Sequence, residues 1–302
     1  MNPRVAHFRQ TLARRPILGD GATGTQLQRV GLAPGACGEL WNVEQPEQVR
    51  QVHRDYLAAG ADLLTTNTFG GTLFVLAGHG AGARVHELNL AGARLAREIA
   101  GDRAWVLGDI GPFGGMFEPL GDALPDEVAI AFRQQAAALL KGGADLILVE
   151  TMSDPAEAAL AVQAAKVAGA EYVIATYSFQ KSAAGFHTMM GTPVATAVTA
   201  VLAAGADAVG ANCGTELSLD DYVKLTAELV AAAAGRPVIV QPNAGSPRLV
   251  DGQIIYDASA AEFEAAAPRL LAAGARLLGG CCGSTPAHIA ALADVLTAAA
   301  PR

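Results

Sequence analysis

The chain has 302 residues, with 51% hydrophobic and 17% charged residues and a formal net charge of −8. That balance excludes a disordered chain and leaves room for one large core or two ordinary ones. An acidic surface with only 5% aromatics argues against nucleic acid or an anionic membrane as the main partner.

The chain opens with Arg4, Arg9, Arg14 and Arg15 spread among apolar residues and has no signal-peptide core, so the first segment reads as a short surface helix. Ile17 to Asp20 is the first candidate for a buried strand. After it one phrase returns: Gly60-Ala61-Asp62 before Leu63-Leu64, Gly143-Ala144-Asp145 before Leu146 to Val149, Gly169-Ala170-Glu171 before Tyr172 to Ala175, Gly205-Ala206-Asp207 before Ala208-Val209, and Gly274-Ala275-Arg276 before Leu277-Leu278. Each copy follows an Ala/Leu-rich stretch. Glycine fits just past a helix C-terminus, and the apolar run after it fits a strand buried on both faces of a parallel sheet. Trp105 to Asp109 and Val238 to Gln241 complete a set of eight strands whose starts lie about 27 to 46 residues apart, room for one crossover helix each. This predicts a single-domain α/β (β/α)8 barrel over residues 1–302, with a doubly wound open sheet as the alternative. The longest apolar run, Val194 to Ala206, falls short of the roughly 18–20 residues of a membrane span, so the expected location is the cytoplasm.

A barrel places its chemistry at the C-terminal ends of its strands. There the sequence puts Asp20, Ala22 and Thr23 after the first strand, and Thr66-Asn67-Thr68 after the second. Asp109 follows the third, Glu150 the fourth, Asn212-Cys213 the sixth, Gln241-Pro242-Asn243 the seventh, and Cys281-Cys282 the eighth. Strands six and eight have one strand between them, so three thiols face one mouth. Three soft ligands favour Zn2+, with a fourth position open for catalysis. The competing reading is inert buried cysteine, since no CxxC pair is present. Asp20 and Glu150 are equally readable as strand-end residues capping nearby helices, and Thr23 as a turn or cap residue. Cys37 sits in a Gly/Pro-rich loop with no ligand role expected. His53 and His86 fit surface or core positions in helices, and His187 is a candidate for substrate contact. The turn Gly21 to Thr25 lacks the GxGxxG pattern and the lysine of a phosphate loop, and no GxSxG elbow is present.

Taken in order, Gly19 to Thr25, Thr66 to Gly70, Gly108 to Pro112, Asn212-Cys213, Gln241 to Gly245 and Gly279 to Pro286 resemble the homocysteine S-methyltransferase family over about Ile17 to Leu296. The Thr-Asn-Thr-Phe-Gly and Pro-Asn-Ala-Gly segments are most similar to the homocysteine module of cobalamin-dependent methionine synthase. This resemblance implies a (β/α)8 barrel, zinc on Cys213, Cys281 and Cys282, and homocysteine sulfur as the fourth ligand. It implies substrate-binding roles for Asp20, Ala22, Thr23, Asn67, Asp109 and Glu150: Asp20 and Glu150 for the ammonium, and backbone N–H groups at Ala22-Thr23 for the carboxylate. Nothing in the chain matches a corrinoid-binding motif. The methyl group is therefore expected from methylcobalamin carried by a partner protein or module, or from a small donor such as S-methylmethionine or betaine. A thiol-binding subunit acting on another thiol is the reading from a different class.

Overall fold

A computed structural model describes residues 2–250 and 253–298. Eight parallel strands run in chain order around one sheet: β1 (Ile17–Leu18), β2 (Leu63–Thr65), β3 (Trp105–Ile110), β4 (Leu146–Met152), β5 (Val173–Tyr177), β6 (Ala208–Asn212), β7 (Val238–Gln241) and β8 (Leu277–Leu278). Neighbours in sequence are neighbours in space, and β8 returns to pair with β1. The remaining seam, between β1 and β2, is held by fewer bonds. Asp62 N–H donates to Leu18 O at 2.8 Å, and Thr65 N–H donates to the Asp20 carboxylate at 2.7 Å. The sheet thus closes into the (β/α)8 barrel, and the open doubly wound alternative falls away.

The strands are buried on both faces, which is why they read as unbroken apolar runs rather than alternating ones. Residues of one parity fill the barrel: Ile17, Leu63, Trp105, Leu107, Leu146, Leu148, Ile174, Ala208, Ile239 and Leu277. Those of the other parity, such as Leu18, Leu64, Val106, Ile147 and Val173, pack outward against the helical ring. The ring's helices carry their own start and stop signals. Proline stands in the first turn of Pro46–Ala58, Pro125–Gly142 and Pro155–Val167, and capping boxes open Leu219–Ala232 and Ala260–Ala272. Gly143 ends its helix at φ 106°, the left-handed geometry that the repeated phrase implied.

Two findings differ from the sequence reading. The first helix, Pro3–Arg14, is not a surface helix: Val5, Phe8 and Leu12 are buried and plug the N-terminal end of the barrel. Its arginines spread among apolar residues because one face meets the barrel floor while the other meets water. Two hairpins also project beyond the barrel, Phe179–Ser182 with Gly185–Thr188, and Arg248–Val250 with Gln253–Ile255. Among the described residues no helix is long and apolar enough to cross a membrane.

Candidate active site

Carried one step further toward the C-terminal end, the inward parity stops being apolar. Thr65, Asp109, Glu150, Thr176, Asn212 and Gln241 continue the inward series of β2 to β7. The barrel therefore ends in a polar layer, and this layer is the floor of the site. Thr65 and Thr176 were not named from the sequence, and Asn212 and Gln241 were named at strand ends without an assigned role. Counting by twos from the buried leucine and isoleucine positions finds them.

Cys213, Cys281 and Cys282 come together at the mouth, with their sulfurs all within 4.8 Å of one another. Cys213 Sγ is 3.6 Å and Cys281 Sγ 4.0 Å from Cys282 Sγ. Tetrahedral zinc with Zn–S of about 2.3 Å requires S···S separations of about 3.8 Å, so the cluster fits the ion. Cys213 holds a left-handed backbone at φ 47°, strain of the kind kept where a side chain must be aimed. Its peptide is pinned by Ser178 Oγ, which donates to Cys213 O at 2.8 Å. The next N–H, Gly214, donates to Tyr222 Oη at 2.7 Å. Gly283 has φ 79°, and a Cβ there would lie 2.1 Å from Tyr256 Cγ, so only glycine lets the ring cover the cysteine turn. Cys281 S–H donates to Cys282 Sγ, and the Cys213 and Cys282 sulfurs share a second hydrogen bond. Those two bonds pull the Cys282 thiol down to about 3 against the opposing cost of burial.

Beside the thiols lie three carboxyl groups, the buried Asp20 and Asp109 and the half-buried Glu150. Asp20 accepts Thr65 N–H at 2.7 Å and Thr65 Oγ1–H at 2.6 Å. Burial pushes it up to about 6, with the Thr65 bonds working the other way. Burial also raises Glu150, to about 8, helped by the neighbouring charges of Cys282 and Asp20. Asp109 lies far above the carboxylate range through burial and then the charge of Glu150, and its Oδ1 is enclosed without a hydrogen-bond partner. Three acids pushed upward, with no basic side chain among their partners in the described residues, form a cluster suited to a cation. Asn212 joins the two halves of the site. Its amide N–H groups reach Thr151 Oγ1 at 2.6 Å, Glu150 Oε2 at 3.5 Å and Cys281 Sγ at 3.7 Å.

Two other expected residues, Ala22 and Asn67, have their groups engaged within the protein. Ala22 gives its N–H to Ser284 Oγ at 3.0 Å, and its carbonyl accepts from Tyr56 Oη at 2.9 Å. Thr23 begins the helix Thr23–Arg29, whose N-cap position, Ala22, supplies no side-chain bond. Asn67 is tied to the preceding loop, donating to Gly38 O at 2.8 Å and to Asn42 Oδ1 at 3.0 Å. Cys37 is buried in that loop with its S–H on Glu39 Oε2 at 3.2 Å. His53 is fully buried in its helix, a core histidine. His187 lies in the first hairpin, with Nδ1 3.0 Å from Thr188 O.

The comparisons with known proteins agree with this geometry. The family model for homocysteine S-methyltransferase matches residues 17–296. The chain belongs to the homocysteine S-methyltransferase family. It is 34% identical over 294 residues to methionine synthase of Mycobacterium tuberculosis and 34% identical over 298 residues to that of Mycobacterium leprae. These alignments cover 92% and 93% of this chain but 24% of each synthase, so the chain spans about a quarter of those relatives' length. Among solved structures, the metallated form of the homocysteine methyltransferase MmuM from Escherichia coli superposes with a TM-score of 0.76 at 28% identity, covering 95% of this chain and 99% of that one. Its apo form gives 0.70 at 26% identity.

Proposed function

We propose that this family member is a zinc-dependent methyltransferase that converts homocysteine to methionine. The observation that carries the reading is the three-thiol cluster set beside a buried, cation-seeking carboxyl pocket at one barrel mouth. Cys213, Cys281 and Cys282 would hold the zinc, which when bound supplies a Lewis acid that keeps a substrate thiol deprotonated at neutral pH.

The chain's own residues supply binding and orientation. Asp109 and Glu150 receive the substrate ammonium, and Asp20, its oxygens held by Thr65, adds negative charge beside them. The ammonium supplies the missing counter-charge, and the proton that burial holds on Glu150 is released to solvent. At the Ala22-Thr23 turn the Ala22 N–H is committed to Ser284, which leaves the Thr23 N–H for the carboxylate end, with Ser284 and Tyr56 fixing the turn's shape. Asn67 keeps the neighbouring loop in place. Anchored at its amino-acid end, the substrate lays its sulfur toward the three cysteines, and positioning of this kind lowers the entropic part of the barrier. The thiol proton leaves, the sulfur lone pair forms the new S–CH3 bond, and the donor departs with the electron pair of the bond it loses.

For the donor, we propose a methylcorrinoid carried by a separate protein or module. Support comes from the higher identity to the two synthases, of which this barrel matches only a quarter. A small donor such as S-methylmethionine or betaine is the second reading. It is favoured by the nearly end-to-end match to a homocysteine methyltransferase of the same length class. The test is to incubate zinc-loaded protein with homocysteine and, separately, methylcobalamin, S-methylmethionine and betaine, and to quantify methionine. Methionine formed with methylcobalamin, with matching demethylation in its absorbance, is the expected result. Methionine from S-methylmethionine or betaine alone overturns the corrinoid assignment. No methionine from any donor, with the zinc site filled, overturns homocysteine as the acceptor.

A further inference from the structure

Behind the carboxyl pocket lies a closed ring of hydrogen bonds that the mechanism above does not use. Asp109 N–H donates to Thr66 Oγ1 at 2.9 Å, Thr66 and Thr68 hydroxyls meet at 2.6 Å, and Thr68 Oγ1 donates to Asp109 O at 2.8 Å. Because the Thr68 hydroxyl proton goes to Asp109 O, the shared bond must run from Thr66 to Thr68. The ring then has one direction, and each hydroxyl both gives and accepts. Gln135, on the helix Pro125–Gly142, locks it from behind, its Nε2 reaching Thr68 O at 2.7 Å and Asp109 O at 3.3 Å. Thr66, Thr68 and Gln135 are at most 1% exposed.

Two polar hydroxyls and an amide in the core are costly unless they do something an apolar trio would not. Here both peptide groups of Asp109 are clamped, which leaves its carboxyl only side-chain torsions. That carboxyl ends in the enclosed, unpartnered Oδ1 beside Glu150. Asp20, by contrast, has both oxygens taken by Thr65. Of these two acids, Asp109 is therefore the one with an oxygen to offer.

We propose that Thr66, Thr68 and Gln135, none of which touches substrate, act as positioning residues for Asp109. Through it they set the pocket's preference for an amino-acid thiol over the same thiol lacking its ammonium. The inference rests on homocysteine as the thiol the site binds, and it deepens that reading by assigning where the selectivity is built.

The experiment measures binding of homocysteine and of 4-mercaptobutyrate, which is homocysteine without its amino group, to the zinc-loaded protein by calorimetry. It compares wild type with Thr68→Val, Gln135→Leu and the conservative Thr68→Ser. The expected result is a loss of about tenfold or more in homocysteine affinity for the valine and leucine variants, against less than about twofold for 4-mercaptobutyrate. Zinc stoichiometry stays unchanged, and Thr68→Ser restores the selectivity. A parallel loss for both thiols, or no loss for either in folded, zinc-replete variants, overturns the proposal. Failure of the function itself is read separately, because a wild type that binds homocysteine selectively but forms no methionine leaves this inference standing and removes the enzymatic one.

Discussion

Cys282 Sγ is hydrogen-bonded to both other thiols, so it is the sulfur on which the cluster depends. Serine in its place removes the acceptor and offers a hard oxygen that suits zinc poorly. We expect Cys282→Ser to retain the fold by circular dichroism, to bind less than about a tenth of the zinc of wild type by elemental analysis, and to lose methionine formation to the same extent. Full activity in a zinc-free variant would sink the zinc reading. Glu150 makes a second prediction at this scale. Its ordinary value is 4.5 and its folded value about 8, so between those values the folded chain keeps a proton that the unfolded chain has released. Its contribution is fully present below pH 4.5 and is lost as the pH rises through 8. Metal-free wild type should therefore lose thermal stability across that window. Glu150→Gln, neutral throughout, should flatten the dependence and raise Tm at pH 8 by roughly 5 °C. A steeper slope in the variant would show that the destabilising charge lies elsewhere.

At the scale of elements, the repeated phrase has a second function that its spacing did not reveal. Its third residue bonds the N-terminal helix or a residue flanking it in every copy. Asp62 pairs with Arg15, Asp145 with Arg4, Asp207 with Arg9, Glu171 accepts Asn2 N–H, and Arg276 donates to Leu12 O. Three of these acids also accept the entering N–H of the neighbouring strand: Asp62 from Leu18, Asp145 from Val106 and Asp207 from Val173. The helix-to-strand turn was legible because glycine and an apolar run are local signals. The helix contacts were not, because they join residues from 47 to 264 positions apart, and composition carries no trace of such pairs. Asp145, buried and shared between Arg4 and Arg97, tests the point. Removing it strands two guanidinium groups and a strand N–H, so Asp145→Ala should cost about 3–5 kcal/mol in denaturant unfolding while leaving zinc stoichiometry intact. A change under about 1 kcal/mol would mean that the N-terminal plug contributes little to holding the barrel floor.

For the whole molecule, the two hydrophobic clusters decide how far the metal matters to folding. The barrel interior and the shell between strands and helices are each filled without any contribution from the three cysteines. Zinc at the mouth is then a site laid on a finished fold, unlike the metal of a small zinc module. Removing it with a chelator should leave the far-ultraviolet spectrum unchanged while lowering Tm by several degrees, by mass action on the folded state alone. Collapse of the spectrum on chelation would contradict this.

The sequence by itself determined eight parallel strands in order, as a barrel or an open sheet, and the strand ends where Cys213, Cys281, Cys282, Asp20, Asp109 and Glu150 stand. All of these follow from local patterns, namely apolar runs, glycine turns and the parity of side chains along a strand. The pairing of β8 with β1 in the folded chain decided for the barrel. Only the tertiary structure decided which strand-end groups still have an atom to offer. Asn67 and Asn42 bond each other and the loop, Ala22 N–H goes to Ser284, and both Asp20 oxygens go to Thr65, whereas Asp109 keeps one oxygen free. It alone placed Asn212 between the acids and the thiols, and built the ring of Thr66, Thr68 and Gln135 behind Asp109. The reason is physical: a side chain's type is written in the chain, but a buried polar atom's partner is set by residues that only folding brings within 3 Å.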